Sequence, residues 1–396
     1  MLFKHDLVIV GGCGRVGLPL ALAFADRGLR VAIFDINGAA VDLVNVGRLP
    51  FDELGAGAVL DRVAGRNLIA FSDPAVIGDA ETVIFVIGTP IDEHLNPDPE
   101  AVPHAIDQVA HHLRSGQLVV LRSTLYPGVT AMVERRLTAR GVDVDVSFCP
   151  ERIAEGKAMT ELYELPQIVA GRSRSSIDRS RKLFSALTAS VVELTPEEAE
   201  LAKLFTNSWR YLKFAVANQF YAIANDRGLD YERVRRGLTY DYPRAADLPA
   251  AGLAAGPCLL KDTMQLAAFN NNQFSLGQSA MMVNEGLPLY VVDRMAKRWD
   301  LATMTVAILG MAFKGDSDDT RSSLSYKLRR ILRFSAKRVL CADPYVTTDP
   351  DLVPFGTALA EADLIVVGAP HRLYHKLVTD KPVVDIWGIV DGGVKV

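Results

Sequence analysis

Short apolar runs alternate with helical stretches over the first half of the chain. Strands that are buried on both faces of a parallel sheet are rich in Val and Ile, so the pattern predicts a doubly wound α/β domain. One run, residues 144–148, alternates Asp145 and Ser147 with apolar residues, and we expect it at an edge of the sheet. The predicted strands are residues 7–10, 31–34, 82–87, 118–121, 144–148 and 167–170.

A capping box predicts the start of a long helix at Thr195. Thr195-Pro196-Glu197-Glu198 offers an N-cap hydroxyl, a proline at the first helical position and an acid three residues after the cap. No breaker follows before Gly228, which predicts a helix of about thirty residues, roughly 45 Å long. Such a helix has more apolar surface than one domain covers, so we expect a homodimer assembled on it. That surface includes Phe205, Trp209, Leu212, Phe214 and Phe220.

The strand pattern restarts after Met304, with predicted strands at residues 305–309, 338–341, 364–367 and 383–385. The chain is therefore predicted as two Rossmann-like doubly wound parallel sheets joined by a long central helix. We expect three domains, at residues 1–194, 195–300 and 301–396.

Composition favours a multi-domain protein with a small-molecule partner. A chain of 396 residues exceeds one ordinary core, and a net charge of -4 gives no electrostatic reason to expect nucleic acid or an anionic membrane as partner. No apolar run reaches membrane-spanning length and the opening residues do not resemble a signal peptide, so we expect a cytoplasmic protein. The cysteines form no CxxC pair, and His371 and His375 have no third ligand nearby in sequence, so we expect no metal.

A glycine-rich turn after the first strand predicts a dinucleotide site. Gly12-Cys13-Gly14-Arg15-Val16-Gly17 leads into an apolar helix, and Asp35 ends the next strand. The glycines allow a pyrophosphate to approach the helix N-terminus closely. The Asp35 carboxylate would accept hydrogen bonds from the adenosine ribose and repel a 2′-phosphate, which favours NAD. The alternative is a nucleotide fold that binds no nucleotide.

Cys258 is a candidate nucleophile four residues before Asp262. If Pro257 starts a helix, its N-terminus favours the thiolate, whereas Asp262 opposes it. By itself, a cysteine here is more often a small buried hydrophobe. A chain with both a thiolate and a hydride acceptor can oxidise an alcohol to an aldehyde, capture it as a thiohemiacetal, and form a thioester that water cleaves to an acid.

Other polar residues are ambiguous when each is taken alone. Lys203 and Asn207 share one face of the long helix, where a lysine is usually solvated. Two loops follow strand ends, where open α/β sheets bind ligands. One is residues 123–128 and the other is residues 149–156. The carboxylates of the second loop could activate a water, or the segment could be an ordinary charged loop.

Taken together, these residues resemble the UDP-glucose/GDP-mannose dehydrogenase family, whose members make nucleotide-linked uronic acids by a four-electron, NAD-dependent oxidation through a cysteine thioester. The resemblance spans nearly the whole chain and its landmarks occur in order. They are Gly12-x-Gly14-x-x-Gly17, Gly88-Thr89-Pro90, Ser123-Thr124, Pro150-Glu151-Arg152, Lys203 with Asn207, Cys258 with Lys261 and Asp262, and residues 310–314 running to Asp319-Thr320-Arg321.

The resemblance implies a role for each landmark. Cys258 would be the nucleophile, and Lys203 and Asn207 would stabilise oxyanions. Asp262 and a water held by Thr124 would serve as base, and Glu151 would direct the hydrolytic water. Cofactor contacts would come from Gly12, Gly14, Arg15, Val16, Gly17, Asp35, Thr89, Ser123, Glu155, Lys261 and Arg321. Substrate contacts would come from Glu151, Arg152, Lys203, Asn207, Arg244, Phe313 and Lys314.

The resemblance also implies what each domain binds. Residues 1–194 would bind NAD, residues 195–300 would form the dimer, and residues 301–396 would bind the nucleotide sugar. Arg244 resembles an arginine that enters the partner subunit's site.

Two departures from the family pattern concern the substrate. In the family a glycine-rich stretch leads to the cysteine, and residues 252–257 depart from it in this chain. An Asp-x-Arg motif is often found near the end of family members, and here Asp385-Ile386-Trp387 stands in its place. Lys261-Asp262 resembles the branches for unacetylated hexoses, which favours UDP-glucose while the base and the sugar stay open. The alternatives are a two-electron hydroxy-acid-type dehydrogenase and a catalytically silent sugar-nucleotide-binding protein.

Overall fold

A computed structural model describes residues 3–254 and 256–396 of the chain. The chain divides into an amino-terminal unit that ends at Phe205 and a carboxyl-terminal unit that begins at Thr206. Each unit contains a sheet with helices packed against it, which confirms the predicted α/β fold. The predicted division into three domains stays a prediction.

The amino-terminal unit is built on an eight-stranded sheet of order β3-β2-β1-β4-β5-β6-β7-β8. Neighbouring strands are parallel except β6 and β7, which pair antiparallel. Two apolar clusters cover the two faces of the sheet. The elements are β1 His5–Val10, α1 Gly17–Asp26, β2 Val31–Phe34, α2 Gly38–Asn45, α3 Ala56–Val63, β3 Leu68–Phe71, β4 Ala80–Phe85, α4 Ala101–Val109, β5 Leu118–Leu121, α5 Val129–Ala139, β6 Asp145–Phe148, α6 Ala158–Glu164, β7 Gln167–Gly171, α7 Arg174–Phe184 and β8 Val191–Leu194.

The expectation that residues 144–148 form an edge strand is wrong, because β6 lies between β5 and β7. Its polar side chains form hydrogen bonds with α7 and its N-cap residue. The Ser147 Oγ lies 2.6 Å from the Ser180 Oγ on α7, and the Asp145 carboxylate accepts hydrogen bonds from Ser173 and Ser175. Polar alternation here therefore marks contacts with α7.

The long helix α8, Pro196–Asp226, begins in the amino-terminal unit and ends in the carboxyl-terminal one. Its predicted capping box is confirmed. The Thr195 N–H donates to Glu198 Oε2 at 2.8 Å, and the Glu198 N–H donates to Thr195 Oγ1 at 3.4 Å.

The carboxyl-terminal unit has a four-stranded parallel sheet of order β10-β9-β11-β12. Two further apolar clusters enclose this sheet. Among the described residues, no helix is both long and apolar enough to span a bilayer. The elements that follow α8 are α9 Tyr231–Thr239, α10 Leu259–Phe269, α11 Ser275–Arg298, β9 Thr305–Leu309, α12 Leu324–Ser335, β10 Arg338–Ala342, α13 Phe355–Glu361, β11 Leu364–Val367 and β12 Val383–Val384.

Candidate active site

The glycine-rich turn connects β1 to α1 with little room for side chains. A Cβ at Gly12 would come within 2.8 Å of the Ile9 carbonyl oxygen, and one at Gly17 within 2.6 Å of the Gly12 Cα. Gly14 is exposed, and a Cβ there would meet nothing closer than 3.7 Å, so its surface faces open space. These features fit a turn that a pyrophosphate approaches closely at the start of α1.

Asp35 ends β2 beside this turn. Its Oδ2 accepts a hydrogen bond from the Cys13 N–H at 2.9 Å, and its Oδ1 accepts one from the Asn37 N–H at 2.9 Å. Both bonds fix the carboxylate against the glycine-rich turn, while the side chain stays partly exposed. The position suits an acceptor for ribose hydroxyls, as the sequence predicts.

Arg15 and Glu155, both predicted to contact the cofactor, form an ion pair. The Arg15 Nη1 lies 2.8 Å from the Glu155 Oε1, and its guanidinium lies 5.0 Å from the Phe51 ring centroid. The buried Glu53 holds the end of the Glu155 loop, because it accepts hydrogen bonds from the backbone N–H groups of Gly156 and Ala158. Phe51 and Glu53 precede α3 without a recognisable motif, so no sequence pattern predicts their roles.

Glu151 is held by a buried arginine that no sequence pattern predicts. Arg122 Nε and Nη2 donate to Glu151 Oε2 at 3.0 and 2.5 Å. The other oxygen, Oε1, accepts from the backbone N–H groups of Arg152 and Ile153 at 2.7 and 3.0 Å. Both oxygens thus position the loop, and the water-directing role of Glu151 stays a prediction.

Arg122 and Arg152 both donate hydrogen bonds to backbone carbonyl oxygens near this loop. The fully buried Arg122 also donates to the Cys149 carbonyl and to Gln167 Oε1. Arg152 donates to the Pro166 carbonyl oxygen. Burial lowers the pKa of the Arg152 guanidinium, and the positive charge of Arg122 adds to this shift.

The loop that carries Ser123 and Thr124 is anchored at both ends. Ser123 Oγ accepts from the Ile87 N–H at 2.7 Å, which links it to the segment leading to Thr89. At the other end, Glu200 on α8 accepts from the Gly128 N–H at 2.6 Å and from the Thr130 N–H and Oγ1 at 2.8 and 2.6 Å. Burial raises the pKa of Glu200, and these hydrogen bonds oppose the shift.

Three predicted residues of the carboxyl-terminal unit, Cys258, Asn207 and Asp262, come together around the start of α10. Cys258 is the exposed N-cap residue, and its carbonyl accepts from the Asp262 N–H at 2.9 Å. The fully buried Asp262 accepts from Asn207 Nδ2 at 2.5 Å. Lys203, which belongs to the amino-terminal unit, lies one turn before Asn207 on α8.

Lys261, predicted as a cofactor contact, forms an ion pair with the residue that follows it. Its Nζ lies 2.5 Å from Asp262 Oδ1. This ion pair and the Asn207 hydrogen bond compensate for the burial of the Asp262 charge. The cofactor role of Lys261 stays a prediction.

The four cysteines of the chain differ in accessibility. Cys13, Cys149 and Cys341 are buried, whereas Cys258 is exposed. Burial raises the pKa of the Cys13 thiol to about 12, helped by the charge of Asp35, and that of Cys341 to about 11. Burial also raises the pKa of Cys149. Neutral buried thiols are poor nucleophiles, so accessibility singles out Cys258.

The approach to Cys258 packs against the loop that carries Phe313 and Lys314. Gly256 has φ +103°, and a Cβ there would lie 2.7 Å from the Phe313 ring. The Lys314 Nζ lies 5.8 Å from the centroid of that ring. Arg321, predicted to contact the dinucleotide, forms an ion pair with the buried Asp319 at 2.5 Å.

The two segments that depart from the family pattern contact each other through Gly252 and Trp387. A Cβ at Gly252 would lie 2.2 Å from the Trp387 ring, so the indole occupies the space next to this glycine. Within the same segment, Ala255 lies outside the described residues. Asp385 is buried and its carboxylate accepts from the backbone N–H of Trp387 at 3.0 Å, which fixes the start of the turn that carries the indole.

Arg244 is exposed after α9, where its Nε donates to the Tyr242 hydroxyl at 2.8 Å. Its guanidinium lies 4.8 Å from the Tyr242 ring centroid. Its entry into a partner's site stays a prediction. Across the described ranges, no group of three or more His, Cys, Asp or Glu side chains could hold a metal ion.

Comparison with known proteins finds three domains of one family along the chain. Residues 6–188 match the NAD binding domain of the UDP-glucose/GDP-mannose dehydrogenase family, residues 197–286 its central domain, and residues 307–392 its UDP binding domain. A UDP-N-acetyl-D-mannosamine dehydrogenase from Pyrococcus horikoshii is 30% identical over 378 residues, which cover 92% of this chain and 89% of that protein.

Solved structures of such enzymes have the same fold. A UDP-D-ManNAc dehydrogenase from Pyrococcus horikoshii superposes with a TM-score of 0.90 at 27% identity, over 97% of this chain and 96% of that one. A UDP-glucose dehydrogenase from the archaeon Pyrobaculum islandicum superposes with a TM-score of 0.91 at 26% identity, over 98% and 95%. These names include both sugars, so the preference for UDP-glucose stays a prediction.

Proposed function

Because the chain belongs to the UDP-glucose/GDP-mannose dehydrogenase family, we propose that it oxidises the C6 hydroxyl of a UDP-hexose to the uronic acid through a thioester on Cys258. It is a nucleotide-sugar dehydrogenase and its cofactor is NAD. The observation that carries the proposal is an exposed Cys258 at the N-cap of α10, four residues before an Asp262 carboxylate that Asn207 orients.

Two oxidation steps and one hydrolysis account for the reaction. NAD⁺, when bound, accepts the hydride that C6 loses in each oxidation. In the first step Asp262 takes the proton of the C6 hydroxyl, and Cys258 Sγ then adds to the aldehyde carbon to give a thiohemiacetal. Loss of the second hydride from C6, together with release of the thiohemiacetal hydroxyl proton to solvent, leaves a thioester on Sγ. Water cleaves it, which releases the uronate and returns the thiol.

Lys203 and Asn207 stabilise the negative oxygen that develops during these steps. Lys203 supplies a positive charge, and the Asn207 amide has two N–H donors, of which one binds Asp262. Because Asp262 also fixes the direction of this amide, the second donor is preorganised. Preorganised donors stabilise a transition state without reorganising during the reaction.

The relatives' names support UDP-N-acetyl-D-mannosamine as the first candidate substrate, since the Pyrococcus horikoshii proteins carry that name. UDP-glucose is the second candidate, which the Lys261-Asp262 pair and the Pyrobaculum islandicum enzyme support. The two sugars differ at C2, where one has an acetamido group and the other a hydroxyl. A catalytic-efficiency ratio between them decides the choice.

The test counts NADH formed per UDP-hexose for a panel that includes both sugars. We expect two NADH and a free uronate from wild type. Cys258→Ser should trap a slowly hydrolysed ester, because an alkoxide leaves less readily than a thiolate, and mass spectrometry should find one sugar-nucleotide acyl group on the protein. Cys258→Ala should form no acid yet still bind NAD and UDP. Cys341→Ala is the matched control, since that buried thiol has no role in the reaction.

Three outcomes would contradict the proposal. One NADH per sugar would place the chain with two-electron dehydrogenases. Tight UDP binding without any NADH would indicate a silent binding protein. Full uronate production by Cys258→Ala would remove the thioester from the mechanism.

A further inference from the structure

A buried carboxylate and imidazole meet at the carboxyl ends of two strands in the second sheet. Asp343 follows β10 and His371 follows β11, the strands that flank β9. The His371 ring is fully buried, and its Nε2 lies 3.0 Å from Asp343 Oδ2. In open α/β sheets this edge is where ligands bind. No role proposed above uses either residue.

Asp343 holds the start of the loop that follows β9. Its Oδ2 accepts hydrogen bonds from the backbone N–H groups of Met311 and Ala312 at 2.6 and 3.0 Å. Burial opposes ionisation, but hydrogen bonds from His371 and from the backbone outweigh it and lower the pKa of the Asp343 carboxyl. The charged carboxylate therefore fixes two consecutive peptide groups.

His371 holds the other end of the same loop. Its Nδ1 accepts a hydrogen bond from the Asp316 N–H at 2.8 Å. Because Nδ1 is an acceptor, the ring proton of the neutral imidazole is on Nε2, which donates to Asp343. The imidazole thus bridges Asp343 to the Asp316 peptide, and the segment 311–316 is anchored at both ends by one pair of side chains.

The anchored segment packs against the turn that leads to Cys258. It contains Phe313 and Lys314, and the Phe313 ring contacts Gly256, two residues before Cys258. Close packing reinforces the anchor, since a Cβ at Gly315 would lie 2.3 Å from the Pro370 carbonyl oxygen. A shift of this segment would therefore move the Phe313 ring and the turn at Gly256 together.

We propose that His371 is a positioning residue for the UDP moiety: the neutral imidazole joins Asp343 to the Asp316 N–H and so fixes Phe313 and Lys314 for nucleotide binding. The inference rests on the proposed function for the assignment of Phe313 and Lys314 to the substrate. Residues 307–392, which match a UDP binding domain, contain every member of this network.

Two near-isosteric variants separate the two hydrogen bonds of the imidazole. The side-chain oxygen of His371→Asn can replace the Nδ1 acceptor but leaves Asp343 without its donor. The amide nitrogen of His371→Gln can replace the Nε2 donor but leaves the Asp316 N–H without its acceptor. His375→Gln, an exposed histidine in the same segment, is the matched control.

The Kd for UDP is measured by calorimetry on the full-length chain, with KM and kcat for the nucleotide sugar and KM for NAD. Both His371 variants should raise the UDP Kd and the sugar-nucleotide KM about tenfold, as expected for one lost hydrogen bond at a positioned site, with NAD KM and kcat within about twofold. Hydrogen exchange of residues 311–316 should increase in both, while His375→Gln behaves as wild type.

A UDP Kd within about twofold of wild type in either folded variant would overturn the inference, and so would parallel losses of kcat and NAD binding. If His371→Gln does not fold, His371→Asn is judged by the same criterion. If neither variant folds, Gly315→Ala is used, because it strains the segment without touching the imidazole. It must then raise the UDP Kd by a similar factor. A wild type that binds UDP but makes no NADH would remove the proposed function and leave this test intact.

Discussion

We predict that Asp35 decides which dinucleotide the chain accepts. Its two oxygens are already fixed by the N–H groups of Cys13 and Asn37, so the carboxylate cannot swing away from an incoming ribose without losing both bonds. A ribose diol can donate to this carboxylate. A 2′-phosphate would place like charges in contact, which costs several kcal/mol, of the order of 3.

We predict that wild type uses NAD with at least about a hundredfold higher catalytic efficiency than NADP, because about 3 kcal/mol corresponds to that factor. Asp35→Asn removes the charge but keeps an amide oxygen for the Cys13 N–H. It should raise the NAD KM about tenfold and lower the NADP KM, with the sugar-nucleotide KM unchanged. Steady-state kinetics with both cofactors gives the answer, and equal efficiency of wild type with NADP would refute the role of Asp35.

At the scale of elements, the sequence predicted those whose signals are local. The Thr195 capping box and the Val- and Ile-rich strands determine α8, β2, β5, β9 and β11 with correct bounds or nearly so. It missed β3 and β8, the two edge strands of the sheet, which are short and partly exposed and so lack the continuous burial of the central strands. The misplaced edge at β6 has a different cause, since its polar residues contact α7, which only the folded chain brings to Ser147.

The same distinction holds for the candidate site. The four-residue spacing of Cys258 and Asp262 predicts that both lie at the start of α10, whereas the hydrogen bond from Asn207 to Asp262 joins two helices across 55 residues and followed only from the family resemblance. The groups that hold the loops of Glu151, Glu155 and Thr124 were missed. Arg122, Glu53 and Glu200 act through partners between about thirty and a hundred residues away, and no local pattern predicts such pairs.

Glu200 joins two elements, α8 and the start of α5, and its replacement tests that junction. In Glu200→Gln one oxygen becomes an NH₂ group that faces a backbone N–H of Gly128 or Thr130, so a buried donor loses its acceptor. We expect a loss of about 1–3 kcal/mol in the free energy of unfolding, measured by urea denaturation. We also expect a lower kcat, since the loop with Thr124 loosens.

The neighbouring Glu197→Gln is the control for Glu200→Gln. Glu197 is exposed on the same first turn of α8, where it pairs with Arg172, and exposed pairs contribute little to stability. If Glu200→Gln unfolds at the wild-type urea midpoint, the three hydrogen bonds do not anchor the loop.

At the scale of the whole molecule, the long helix retains apolar surface that the described residues of its own chain leave exposed. Five large apolar side chains of α8 are between 43% and 58% exposed, at spacings of three, four or seven residues that place them along one side of the helix. They are Phe205, Trp209, Val216, Phe220 and Ile223. Of the residues expected from the sequence, Leu212 and Phe214 are instead partly buried beside Tyr211 within the carboxyl-terminal unit.

We predict a homodimer assembled on this stripe, because burying the stripe removes a contiguous apolar surface from water. A two-fold pairing of identical helices gives a closed dimer that does not grow further. Sedimentation should give twice the chain mass of 43.1 kDa. Trp209→Glu with Phe220→Glu should yield monomers, since each charge would be buried in the interface. Phe334→Glu should stay dimeric, because Phe334 is 94% exposed on α12, away from the stripe. A monomeric wild type with full activity would contradict the dimer and, with it, the entry of Arg244 into a partner's site.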